Sequence, residues 1–119
     1  MREILFRRGL NINPVCPLCL DDIESIDHIF LECPMSRRVF EDAVQYGWIS
    51  DGFFGLGSNL CDQLQLIGSH PKTRQVLLKI SFLLWCIWNG RNNVVFRNEI
   101  FNPLTCLVSA KKAFAEWRL

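Results

Sequence analysis

The sequence predicts a mainly α-helical protein: a small metal-binding knuckle followed by a helix, then a glycine-rich loop, one long apolar helix and a shorter C-terminal amphipathic helix. Three observations predict this. Cysteine and histidine cluster in the first third, apolar residues recur at helical spacing further on, and glycine and proline punctuate the chain between these parts. With 119 residues, half of them hydrophobic, the chain can bury one core. It is too short for a polymerase or kinase catalytic domain.

The first helix is predicted to follow Pro34, which suits a first helical position. Four apolar or aromatic residues then share one face, namely Met35, Val39, Ala43 and Tyr46. Glycines from Gly47 to Gly57 predict a loop. We therefore divide the chain into a knuckle with its helix (1–48), a loop or linker (49–70) and a helical extension (71–119).

The long helix is predicted from about Lys72 to Asn98, a stretch without proline. Ser69 or His70 stands at the N-cap position before Pro71. One face carries the residues Leu77, Ile80, Leu84, Ile87 and Trp88, and we expect Phe82, Trp85 and Phe96 to widen it so that most of the helix is buried. The last helix is predicted from Pro103 through Trp117, with an apolar stripe that includes Leu104, Leu107, Val108, Ala110 and Phe114.

The net charge of +1 hides an uneven distribution along the chain. Residues 1–15 hold three arginines and one glutamate (+2), residues 16–69 hold nine acids and two arginines (−7), and residues 70–119 hold eight basic and two acidic residues (+6). A basic C-terminal half can face a polyanion, or both blocks can be ordinary solvated surface.

The N-terminal sequence predicts an intracellular protein of the nucleus or cytoplasm. Arg7 and Arg8 interrupt the first apolar run, so we expect no signal peptide and no secretion. The chain also lacks an apolar run of the length that crosses a membrane. In a reducing compartment, clustered cysteines favour a metal site over disulfides.

One motif carries chemistry: Cys16-Pro-Leu-Cys19, then His28 and Cys33, a CCHC zinc knuckle with the spacing Cys-x2-Cys-x8-His-x4-Cys. Zinc prefers four such ligands in a tetrahedron, and a set of four leaves no open position for water. The sequence therefore predicts one structural Zn²⁺ and no catalytic residue. The alternatives are buried, unconnected cysteines or a disulfide.

The site poses one geometric problem, because His28 and Cys33 are five residues apart. On a helix they converge only if it ends or bends near Glu32, which Pro34 favours. Asp27 or Glu24 is a candidate acceptor for the free imidazole N–H. The other cysteines (Cys61, Cys86 and Cys106) and the second histidine, His70, are expected to lie outside the site.

Two motif blocks resemble a known family, the zinc-binding domain of reverse transcriptases from plant LINE-type (non-LTR) retrotransposons. The first block comprises Arg7-Arg8-Gly9-Leu10, the Cys-Pro-x-Cys knuckle, Glu24-Ser25-Ile26-Asp27-His28-Ile29-Phe30 and Cys33-Pro34. The second runs from Trp85 to Phe96 and resembles the Trp-x-Ile-Trp-x-x-Arg-Asn-x-x-x-Phe segment that follows this domain. Phe40 stands where the family usually has tryptophan.

The chain also departs from that family's complete elements. Only six residues precede Arg7, and neither a Tyr-x-Asp-Asp polymerase signature nor a carboxylate set for two-metal chemistry is present. The resemblance implies retrotransposon ancestry and an accessory role beside reverse transcriptase or RNase H domains. It does not imply reverse transcriptase activity.

The family context implies contact with RNA or DNA, for which the best candidates are Arg7, Arg8, Arg37 and Arg38. Five acids and no cation lie between Cys16 and Cys33, so this loop should repel a phosphate backbone. A binding edge formed by Trp85, Trp88, Arg91 and Asn92 is a weaker alternative to core packing. We expect a non-catalytic zinc module with accessory nucleic-acid binding; the alternatives are a protein-interaction module and a non-functional retroelement fragment.

Overall fold

A computed structural model describes residues 1–9, 13–49, 59–68 and 74–118, and these residues are mainly helical with no strand. The predicted fold class is confirmed. A five-residue π-helical turn, His28–Glu32, precedes the second helix. The α-helices are α1 (Arg2–Arg7), α2 (Pro34–Gln45), α3 (Leu60–Gly68), α4 (Arg74–Arg97) and α5 (Pro103–Arg118). None of the described helices is both long and apolar enough to cross a membrane.

Helix α2 begins and ends where its sequence indicates. Cys33 is the N-cap with extended backbone, and Pro34 follows at the first helical position, where its missing N–H costs nothing. The helix stops before Gly47, which has φ +73°. Val39 and Ala43 are fully buried and Met35 is partly buried, so α2 packs this part of its predicted face into the core, whereas Tyr46, expected on the same face, is 60% exposed just past the helix end.

Helices α4 and α5 form an antiparallel hairpin that builds most of the core. Ile80, Leu83 and Ile87 of α4 are fully buried, and Leu107 and Ala110 of α5 join them in one hydrophobic cluster with α2. At one end of this core, the ring of Phe114 packs edge-on against both Phe82 and Trp48, with centroids 5.8 Å apart in each pair.

The expected burial of α4 around most of its girth is wrong at two positions. Trp85 is 57% exposed and Phe96 is 76% exposed. Helix α4 packs against α2, α3 and α5, and these two side chains lie outside the arc that those neighbours cover. On α5, Leu104 and Val108 of the predicted stripe are likewise exposed, whereas Leu107, Ala110 and Phe114 are buried.

The segment expected as a loop at 49–70 contains helix α3. Its start has a polar cap, since the Asn59 side-chain oxygen accepts the Asp62 N–H at 2.9 Å. The Asp27 carboxylate accepts the Leu60 N–H at 2.9 Å, which fixes α3 beside the knuckle. Positions 50–58 and 69–73, with most of the predicted glycine loop and the expected N-cap of α4, lie outside the described residues. The three-part division of the chain stays a prediction.

A buried ion pair joins the knuckle to the helical extension. The Arg91 guanidinium donates from Nε and Nη2 to the Glu24 carboxylate at 2.9 and 2.8 Å, and both side chains are buried. The backbone N–H of Arg2 donates to the same carboxylate at 2.9 Å. Glu24 therefore connects α1 and α4 to the metal-binding segment.

Candidate metal centre

The first two candidate ligands lie on a tight turn closed by backbone hydrogen bonds. The Cys16 N–H donates to the Asp22 carbonyl at 2.7 Å, and the Leu20 N–H donates to the Cys16 carbonyl at 2.9 Å. An antiparallel bridge between Val15 and Ile23 flanks the turn. Leu20 has φ +60°, a conformation that reverses the chain just after Cys19. Both sulfurs are thus held on one side of the knuckle.

The other two ligands are brought together by the π-helical turn. In an α-helix, residues five apart lie about 140° apart around the axis. Here the Cys33 N–H donates to the His28 carbonyl at 2.6 Å, an i to i+5 bond that brings Cys33 back under His28. The Ser25 hydroxyl accepts the His28 N–H at 3.0 Å at the start of this turn. The widened turn solves the spacing problem that the sequence posed.

The four donor atoms form a compact cluster. All of them lie within 4.8 Å of one another. Cys16 Sγ and Cys33 Sγ are 3.9 Å apart, and Cys19 Sγ is 3.4 Å from His28 Nε2. A tetrahedron with zinc–sulfur bonds near 2.3 Å and zinc–nitrogen bonds near 2.0 Å places its sulfurs about 3.8 Å apart and sulfur and nitrogen about 3.5 Å apart. These two separations match the edges of a zinc tetrahedron.

The sulfur separation also excludes a disulfide between Cys16 and Cys33 in this conformation. A disulfide requires sulfurs about 2.05 Å apart, whereas these are 3.9 Å apart. Both residues are fully buried, as is almost all of His28, while Cys19 is partly exposed. Buried sulfur and nitrogen donors that face one another favour binding of a metal ion over contact with solvent.

The two buried thiols, Cys16 and Cys33, shift each other's pKa in opposite directions through the hydrogen bond between them. The hydrogen bond between them raises the pKa of Cys16, which acts as donor and is further disfavoured as thiolate by burial. The same hydrogen bond lowers the pKa of Cys33, helped by the backbone amides of Met35 and Ser36 at the start of α2. Cys33 is therefore predisposed to be a thiolate ligand, and a bound Zn²⁺ would hold both sulfurs deprotonated.

Neither predicted carboxylate partner reaches the imidazole in the part of the chain that the structure describes. Glu24 is taken by Arg91 and Arg2, and Asp27 caps α3. Both acids are close to the ligands in the sequence, but their carboxylates bind α1, α3 and α4. Sequence reasoning missed Ser36, whose hydroxyl donates to the Ile29 carbonyl and braces the π-helical turn against α2.

Comparison with known proteins identifies the segment that holds this cluster. Residues 1–40 match the family of zinc-binding domains in reverse transcriptase. This zinc-binding segment contains all four clustered residues, so the predicted cofactor, Zn²⁺, agrees with both the family match and the donor geometry. No curated protein and no solved structure matches the chain. The match covers a zinc-binding domain and not a polymerase or RNase H domain.

The four arginines proposed to contact nucleic acid are all exposed, but two have carboxylate partners. Arg7 pairs with Glu3 at 2.9 Å, and Arg38 pairs with Asp42 at 3.2 Å, both one helical turn apart. Arg8 and Arg37 have no ion-pair partner among the described residues. These two therefore offer the most available positive charge near the zinc-binding segment.

The remaining cysteines lie outside the cluster. Cys61 is exposed, whereas Cys86 and Cys106 are buried in the α4–α5 core. Burial raises the pKa of the Cys86 thiol, and burial together with nearby Cys86 raises that of Cys106 to about 12. Both behave as packing residues. His70 lies outside the described residues.

Proposed function

We propose that this chain is a non-catalytic structural-zinc module of reverse-transcriptase origin that contributes an accessory nucleic-acid contact. The observation that supports it best is the cluster of four donors inside a segment that matches zinc-binding domains in reverse transcriptase. Three cysteines and a histidine complete a tetrahedral shell, so the metal has no site for a reacting water. Its role is to hold the knuckle, the π-helical turn and the start of α2 together.

The proposed nucleic-acid contact rests on charge. Asp21 and Asp22 are exposed on the knuckle, and negative charge there disfavours phosphate. Arg8, at the end of α1, and Arg37, on the first turns of α2, are exposed and free of carboxylates within the described chain. The contact therefore falls on the arginines that flank the metal site and not on the knuckle itself. Reverse transcriptase or RNase H domains of a parent element, in the nucleus or cytoplasm, are the partners that this origin favours.

A titration of zinc-loaded protein with labelled single-stranded RNA and duplex DNA tests the proposal. The double variant Arg8→Ala/Arg37→Ala should weaken binding. It should also reduce the slope of log K against log salt, by the amount expected for the loss of up to about two phosphate contacts. Arg118→Ala is the control, because it removes an exposed charge that lies far along the chain and stacks on Phe114. Absence of binding at low salt, or equal effects of the two variants, would overturn the nucleic-acid role.

A protein-interaction role is the second candidate, and one observation favours it. Leu20, Ile23 and Ile26 are exposed around the knuckle next to its acids, a surface that suits a basic and apolar partner. Association through this surface would be less sensitive to salt than phosphate binding. Leu20→Ser/Ile26→Ser would weaken it and leave the zinc content unchanged.

A further inference from the structure

A groove lies between the C-terminal half of α4 and the N-terminal half of α5. Its volume is about 300 Å³. The floor is apolar, with Phe101 and Cys106, and the walls carry amide and hydroxyl groups from Asn89, Asn93 and Ser109. Trp85 stands at one end. We refer to this feature as the α4–α5 groove.

The walls of the groove offer unused hydrogen-bonding groups. Trp85, Asn89 and Asn93 follow one another at four-residue steps, so they form one stripe along α4. The side-chain amides of Asn89 and Asn93 are half-buried, and within the described residues they have no hydrogen-bond partner. An amide in the wall of a groove can donate and accept at once. The groove thus presents a polar edge beside an open aromatic face.

Positive charge stands beyond each end of the groove. Arg97 is one helical turn past Asn93 on α4, and Lys112 is three residues past Ser109 on α5. Both are exposed, and neither has an ion-pair partner in the described chain. Because α4 and α5 are antiparallel, these cations lie at opposite ends. Glu99 lines the groove itself, so a negative phosphate is disfavoured inside and favoured at the two ends.

We infer that the α4–α5 groove holds an unpaired base of single-stranded nucleic acid. A base has a flat face that stacks on an indole, and an edge that hydrogen-bonds to asparagine amides. The helical distance from Trp85 to Arg97 is about 18 Å, longer than one nucleotide, so phosphates further along the strand on each side of that base would meet Arg97 and Lys112. A neutral peptide would use the amides but not the cations at both ends, so the charges favour a nucleotide strand. The inference rests on the proposed function and gives it a second surface, distinct from Arg8 and Arg37.

The test measures the affinity of zinc-loaded protein for a short fluorescein-labelled oligouridine by anisotropy. Trp85→Ala should weaken binding by roughly 5- to 150-fold, the range of one lost base stack, and Asn93→Ala should weaken it less. Trp117→Ala is the matched control, since Trp117 is 60% exposed but lies outside the groove; it should bind as the wild type does. Circular dichroism confirms that the variants stay folded.

Cross-linking separates this inference from the proposed function. Irradiation of the complex with 4-thiouridine RNA should attach the base to the tryptic peptide 80–91, which contains Trp85. One set of results would overturn the groove alone: the RNA binds, Trp85→Ala binds it as tightly as the wild type, and the cross-link falls near Arg8 or Arg37. The groove is then not a base site, while the proposed function stands. If the wild type binds no RNA at low salt, both fail. Binding of duplex DNA equal to that of the single strand would also overturn the groove as a site for an unpaired base.

Discussion

Arg91 and Glu24, separated by 67 positions in the sequence, form a bidentate ion pair in the interior of the protein. Arg91 lies on α4, its guanidinium 4.9 Å from the ring centre of Trp88, and Glu24 lies four residues before the His28 ligand. Two motif blocks that look unrelated in the sequence therefore meet at one contact. The zinc-binding segment and the helical extension are physically connected through it.

Removal of one partner should destabilise the protein strongly. Arg91→Met leaves the Glu24 carboxylate buried without its cation, and breaking such a pair costs about 3–5 kcal/mol. The double variant Glu24→Leu/Arg91→Met removes both charges and should cost clearly less than the sum of the single changes. Urea unfolding of the zinc-loaded proteins measures each free energy.

Arg7→Met is the matched control for this prediction. Its ion pair with Glu3 is the more exposed one, with the Arg7 side chain 76% exposed and the Glu3 side chain 23% exposed, so its loss should cost no more than about 1 kcal/mol. If Arg91→Met and Arg7→Met cost the same, the buried pair does not hold the two segments together.

The same pair should make stability depend on pH in acid. Burial alone would raise the pKa of Glu24, but the Arg91 guanidinium and the Arg2 N–H outweigh it and hold the pKa below its ordinary value of 4.5. A group with a depressed folded pKa stabilises the protein above its unfolded pKa and loses that contribution as pH falls through the folded pKa. The stability advantage of wild type over Glu24→Gln should therefore be constant from pH 7 to about pH 5 and shrink below about pH 4.5.

The comparison of two proteins isolates this effect from acid loss of zinc, which both share. Unfolding free energies measured across that range give the difference directly. An advantage that grows as pH falls would mean that Glu24 has a raised pKa, and the ion pair would not be its main partner.

The sequence predicts the metal site well because its information is local. Four ligands within eighteen positions can be recognised by spacing alone. The partner of Glu24 could not be found in this way, because no periodicity links residues 24 and 91. The exposure of Trp85 could not be predicted for a related reason: an apolar stripe shows that a helix has a buried side, but not how much of its circumference its neighbours cover. Helix α3 was not predicted, because the nearby glycines indicate a loop and the cap at Asn59 is a weaker signal.

Zinc should be required for the fold of the N-terminal segment. Metal analysis should find about one Zn per chain. Chelation, or Cys33→Ser, should unfold the knuckle and the π-helical turn, because the binding energy of a structural zinc is also folding energy. The loss of helical signal on chelation, and its return with added Zn²⁺, can be followed by circular dichroism.

Cys61→Ser is the control for this prediction, since Cys61 is exposed and outside the cluster. It should retain the metal and the wild-type resistance to chelator. Cobalt substitution adds a spectroscopic check, because tetrahedral Co²⁺ with thiolate ligands has intense visible bands. A protein that folds fully without metal, or a Cys33→Ser variant with unchanged zinc content, would contradict a structural role for this site.

Gly90 should resist substitution although it lies in the middle of α4. A Cβ at this position would approach two atoms of the Phe101 ring to 2.8 and 2.9 Å, and that ring is buried. Alanine gains about 1 kcal/mol over glycine in a helix interior, but overpacking costs about 1–3 kcal/mol. Gly90→Ala should thus lower the free energy of unfolding by about 1 kcal/mol.

In a Phe101→Leu background, where the ring is gone, the same change should raise the free energy of unfolding. A stabilising effect of Gly90→Ala in the wild-type protein would mean that the Phe101 ring can move aside, and that α4 and α5 are not held at the close approach seen here.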